Sequence, residues 1–235
     1  MQRYNSFRMI HKALRALLYD TALTIQQTYF ADCEETDTAI EKLEMVLYVF
    51  EQHAHHEDNN IFPLIEVYEH ELVEEFETEH VKDMELGNRL KHLVNIIGAA
   101  RKDEEKIICG SAISKAFVQF MIFNLEHIAK EEIFINQALW KHYTDEQLIL
   151  ANQKLVESIP KEEKAFSSKW MMRGINNMEA INWLKGIRQS APDFVFQSVF
   201  SLTETELPES RRYVVQQGVL AEDLIHSEMF DSMLA

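Results

Sequence analysis

The sequence predicts an all-α protein, an antiparallel four-helix bundle with additional C-terminal helices packed on it. Three observations carry that expectation. Only 6 Gly and 4 Pro occur in 235 residues, and both residue types disfavour helix interiors. Apolar residues recur at helical spacing along almost the whole chain. Four of the periodic segments are long and joined by short connections, which makes sequential helices antiparallel neighbours.

The first segment, about residues 7–30, aligns Phe7, His11, Leu14 and Leu18 on one face. The second starts near Asp37 and aligns Leu43, Val46, Leu47, Phe50, His53 and Glu57. Asp58, Asn59, Asn60 and Pro63 are expected to bend or end it. The third, about 70–99, carries Val73, Phe76, His80 and Gly87 in line, and Gly98 is a natural stop. The fourth, about 104–141, carries Phe117, Phe120, Asn124, His127, Glu131 and Ile135. Residues 1–143 are thus read as the bundle. Residues 144–218 are read as a helical extension, opened by a capping box at Thr144 to Gln147. Pro160, Pro192 and Pro208 each stand where a new helix can begin. Phe166, Trp170, Met178, Ile181, Trp183, Leu184 and Ile187 give these helices an apolar face to bury. Gly218 reads as a stop, and 219–235 as a loose tail.

Composition narrows the function. The net charge is −16, from 23 basic and 39 acidic residues. So negative a surface repels the phosphates of nucleic acid and anionic lipid, and neither is expected as a partner. Cys33 and Cys109 are too few for a disulfide framework. No run of 18 apolar residues and no secretory signal is found, so a cytoplasmic protein is expected. The acid excess concentrates in residues 51–85, with 12 Asp and Glu against Lys82 alone. A solvated helix face accounts for most of those acids. The same window, however, holds His53, His55, His56, His70 and His80.

His53 and Glu57 stand at i and i+4, on one helix face about 5–6 Å apart at Cβ. His127 and Glu131 repeat the pattern on the fourth helix, while the first and third place single histidines, His11 and His80, on their apolar stripes. All six residues are in register with core positions. A buried ionised carboxylate without a partner costs several kcal/mol, and two of them in one core call for an explanation. Two divalent cations bridged by Glu57 and Glu131 supply it, with about two histidines to each ion and about 3.5–4 Å between the ions. Imidazole and carboxylate without thiolate point away from soft metals, calcium and magnesium. Iron ranks ahead of manganese or zinc, and its open coordination positions suit O2, NO or peroxide.

These residues resemble the hemerythrin-like family, named for its His-His-Glu cation-binding motif. The similarity runs over about residues 5–145. It is carried by His11, by His53-Ala-His-His56-Glu57-Asp58-Asn-Asn-Ile61-Phe62-Pro63, by Glu79-His80, and by His127-Ile-Ala-Lys-Glu131-Glu132-Ile-Phe134. The resemblance implies ligation by His11, His53, Glu57, His80, His127 and Glu131, with Glu57 and Glu131 bridging. Two positions depart from the O2-carrying members. Met84 stands where they have a second third-helix histidine, and Glu131 and Glu132 stand where they have one later Asp. His56 is a candidate replacement ligand. The departures favour sensing, iron handling or a redox reaction over simple reversible O2 carriage. A di-iron enzyme acting on NO or peroxide, or donating iron for iron–sulfur repair, is the alternative, and a metal-free helical interaction module the second. Glu77 with His80 also makes the Glu-x-x-His of ferritin-like bundles, but only once. The C-terminal helices could cover the pocket, meet a partner or form a homodimer.

Overall fold

The structure, a computed structural model, describes residues 3–233 and the side chains of residues 3–221. It is all-helical, with no strand among the described residues. The chain divides into two compact units, residues 1–159 and 160–235.

The first unit holds α1 (Arg8–Gln27), α2 (Cys33–Asn60), the short α3 (Phe62–Ile65), α4 (His70–Ala99), α5 (Asp103–His142) and α6 (Asp145–Ser158). Local chemistry explains where each begins. Asn5 Oδ1 accepts from the backbone N–H groups of Phe7 and Arg8 at the entry to α1. Asp32 caps α2 by accepting from the Glu35 N–H. α5 begins Asp103-Glu104-Glu105 and ends Lys141-His142, charges that complement its macrodipole at both ends. At α6 both arms of the Thr144–Gln147 capping box are made.

The four long helices meet in a ring: α1 packs on α2 and α5, and α4 packs on α2 and α5. Leu14, Leu18, Leu43, Leu90, Ile113, Phe117 and Phe120 fill one stretch of the core. Phe7, Ile61, Phe62, Ile65, Val73, Phe76, Ile135, Leu139 and Leu148 fill the other. The centre described below lies where these stretches meet along the helices. α5 is long and apolar enough to cross a bilayer by length and composition alone, although no unbroken apolar run of 18 was expected. It also carries buried Asn124, His127 and Glu131.

The second unit holds α7 (Lys161–Gly174), α8 (Asn177–Ser190), α9 (Asp193–Glu206) and α10 (Glu209–Met233). Pro160 and Pro192 are the N-caps of α7 and α9, and Pro208 immediately precedes α10. Asn176 caps α8 in a second capping box, with Glu179. Trp170, Met172, Ile181, Leu184, Phe196, Val215 and Val219 are buried, whereas Met178 is exposed against expectation. Arg211 ties the unit together by donating to the Ile175 carbonyl and to Asn177.

α2 ends at Asn60, within the stretch expected to bend or end it. One expected stop is absent: α10 runs through Gly218 and the expected loose tail as far as Met233. Leu234 and Ala235 lie outside the described residues.

Candidate metal centre

Each long helix delivers polar side chains into an otherwise apolar stripe. α1 brings His11, three residues before Leu14; α2 brings His53 and Glu57, one and two turns after Phe50. α4 brings His80, one turn after Phe76; α5 brings His127 and Glu131 after Phe120 and Asn124. His11 and Glu131 are fully buried, Glu57 and His127 nearly so. The side chains of His53 and His80 are 12% and 8% exposed.

The six residues expected from the sequence come together. One group is His11, His53, Glu57 and Glu131; the other is Glu57, His80, His127 and Glu131. Within each group the ligand atoms lie within 4.8 Å of one another, so each group could hold a metal ion. Both carboxylates belong to both groups. Glu57 Oε1 lies 3.1 Å from His53 Nε2 and 3.8 Å from His11 Nε2, and its Oε2 lies 3.5 Å from His80 Nε2. Glu131 Oε1 lies 3.1 Å from His127 Nε2 and 3.8 Å from His80 Nε2, and its Oε2 lies 3.5 Å from His11 Nε2.

These approaches are not aligned as hydrogen bonds. All four carboxylate oxygens and His80 Nε2 are buried with no hydrogen-bond partner. His11 Nε2 and His53 Nε2 face each other at 3.2 Å. Such orphaned acceptors in a core cost free energy, and a cation between them would satisfy them all.

The histidines are held from behind. Their Nδ1 atoms meet carboxylates: His11 meets Glu132 at 3.2 Å, His80 meets Asp58 at 2.8 Å, and His127 meets Glu79 at 2.8 Å. A carboxylate at Nδ1 fixes the tautomer and leaves the Nε2 lone pair for a metal. Arg15 pairs with Glu132 at 2.7 Å, and Lys130 pairs with Glu79. Sequence reasoning left Asp58, Glu79 and Glu132 without a role. Each stands next to a ligand of its own helix yet serves a histidine of another, and adjacency to a ligand was the one signal available.

Protonation follows from this crowding of carboxylates. Burial opposes charge on His11, but the Glu132 hydrogen bond, Glu57 and Glu131 outweigh it and push its pKa to about 9. Burial opposes charge on His80 likewise, but Asp58, Glu131 and Glu57 push it to about 12. His127 moves in the same direction, against burial, through Glu131 and Glu79. Burial favours the neutral form of Glu57, yet the His53 charge and contacts with His11 and His80 hold its carboxyl well below the usual range.

Neighbouring residues behave differently from the candidate ligands. Met84 is exposed. His56 is half-buried and is not in either group. Glu77 is exposed and is not in them either, so the ferritin-like pairing with His80 is not made. Asp83, not Met84, turns inward: it is buried, accepts from Asn124 Nδ2 at 2.5 Å, and has its pKa raised by that burial.

The chain matches no family model, no curated protein and no solved structure. The residues present nonetheless fit a metal ion on their own geometry, in either of two overlapping groups. Two histidines serve each position, two carboxylates are shared, and every inward acceptor on Glu57 and Glu131 lacks a partner.

Proposed function

We propose that this chain is a non-heme di-iron protein that binds or senses O2 or iron. In this reading α1, α2, α4 and α5 form the antiparallel four-helix bundle of the hemerythrin-like resemblance. The observation that carries it is the sharing of Glu57 and Glu131 by two histidine pairs, with all four carboxylate oxygens unpartnered. His11 and His53 would hold one ion, His80 and His127 the other, and the two glutamates would bridge them. Iron is the choice because the donor set is imidazole and carboxylate without thiolate, and because a carboxylate-bridged pair departs from the usual four-coordinate zinc site. Bound there, iron would offer open positions to O2, NO or peroxide.

The enzyme reading rests on a separate observation. A cavity of about 410 Å³ between α2 and α4 is lined by His80, Asp83, Gly87 and Phe120, so small molecules can reach one side of the centre. The test is elemental analysis of protein grown with iron, together with its absorption spectrum and its response to O2. About two irons per chain and an O2-dependent spectrum that reverses under vacuum support the binding reading. A single irreversible oxidation moves the assignment to a redox enzyme, and absence of iron removes both.

A further inference from the structure

The two halves of the centre are related by an internal two-fold. With α1 matched to α4 and α2 to α5, His11 corresponds to His80, His53 to His127 and Glu57 to Glu131. The supporting carboxylates obey this relation only in part. Glu132 follows Glu131 and holds His11; Asp58 follows Glu57 and holds His80. Glu79 precedes His80 and holds His127. The residue preceding His11 is Ile10, which has no group to hold His53.

The cations break the symmetry in the same direction. Arg15, four residues after His11, neutralises Glu132. Four residues after His80 stands Met84, and among the described residues no cationic Lys or Arg pairs with Asp58. The flanking residues differ as well. Asp83 and Asn124 make a buried polar pair beside His80 and His127. Their counterparts beside His11 and His53 are Leu14 and Phe50, both buried and apolar.

The His80/His127 position therefore has two anchored histidines and one carboxylate in excess of its lysine. The His11/His53 position has one anchored histidine and a neutralised carboxylate. Carboxylates behind ligating histidines raise their basicity, and losing one typically costs about 10–100-fold in metal affinity. Access points the same way. The cavity between α2 and α4 is lined by Glu51, Asp58, Glu77, Asp83 and His80, and by none of His11, His53 and Glu132.

From these differences we infer that the centre fills in order: a first divalent cation binds at His80 and His127, and the His11/His53 position fills only at higher metal concentration. The inference rests on the paired-site reading above. Asp58 and Glu79 are the positioning residues that set the order, acting through His80 and His127. Ile10 marks the place where the corresponding group is missing.

The test is anaerobic titration of the metal-free full chain with Co²⁺, following its visible bands and the ions bound per chain. Two phases of one ion each are expected, with midpoints about tenfold or more apart. Asp58→Asn and Glu79→Gln are each expected to weaken the first phase by about 10–100-fold and spare the second, with helical circular dichroism unchanged. Ile10→Glu is expected to strengthen the second phase and narrow the gap, a gain that misfolding does not produce. Two ions binding in a single phase would overturn the order and leave the paired site standing. So would Asp58→Asn and Glu79→Gln weakening only the second phase. Saturation at one ion or none would overturn the paired-site reading, and the order with it.

Discussion

His11, His80 and His127 share their pocket with Glu57, Glu131 and the carboxylates behind them, and those charges raise the pKa of all three against the effect of burial. The folded-state pKa of His11 rises from 6.5 to about 9, and that of His80 to about 12. A raised folded-state pKa stabilises fully below the unfolded value and is lost as pH climbs through the folded one. The metal-free protein is therefore expected to lose thermal stability between pH 6.5 and 9, as His11 gives up its proton. Metal displaces the same protons, so apparent affinity rises over that window, and the gap in Tm between loaded and metal-free protein should widen. Calorimetry of both forms across that range checks this, and a constant gap would contradict it. Glu131→Gln keeps size and shape but removes a shared charge, so bound metal should fall from two ions per chain to one or none by elemental analysis. The six inward residues were legible in the sequence because His-x-x-x-Glu and the apolar stripe are both local. Asp58, Glu79 and Glu132 were not, because the histidine each supports lies on another helix.

At the scale of elements, helix interiors were legible and several ends were not, for local reasons. α2 was expected to start near Asp37 but starts four residues earlier, at Cys33, because Asp32 caps it. It ends at Asn60 as expected, where Asn59 and Asn60 donate from their side chains to the carbonyls of His55 and His56, one turn back on the helix. Pro63 does not interrupt α2; it lies in the first turn of α3, where a missing N–H costs nothing. α10 passes through Gly218 because that glycine meets a neighbouring helix: a Cβ there would lie 2.4 Å from Ile181 Cδ1. Gly110 in α5 is tighter, since a Cβ would lie 2.2 Å from two ring-side atoms of Phe30, a bulky side chain that is itself buried. Gly110→Ala should therefore destabilise the first unit by about 1–3 kcal/mol through overpacking. Gly186 in α8 has nothing within 4 Å of the added carbon, so Gly186→Ala should stabilise the second unit by about 0.5–1 kcal/mol. Denaturant midpoints of the two variants should move in opposite directions. Equal shifts would mean that space around the glycine does not decide the outcome.

Across the whole molecule, the division falls between Ile159 and Pro160. The sequence suggested a boundary at 143, just before the capping box at Thr144, because periodicity shows that a helix has an apolar stripe but not what the stripe covers. α6 belongs with the first unit: Leu148 is buried in the cluster of Phe62, Ile65 and Leu139, and Arg3 reaches Asp145. All six candidate ligands and all three supporting carboxylates lie in that unit, and none lies in residues 160–235. A cation that binds only the folded first unit stabilises that unit by mass action, about 2.7 kcal/mol at a hundred times Kd. A unit of this size gains about 2–4 °C for each kcal/mol. Calorimetry of the full chain should therefore resolve two transitions, and saturation with metal should move one upward by about 5–10 °C while leaving the other in place. Glu131→Gln should abolish that shift, and Gly186→Ala should move only the transition that metal leaves alone. A single transition shifted as a whole by metal would mean that the two units unfold as one, and that residues 160–235 share in the stability of the centre although they supply none of its ligands.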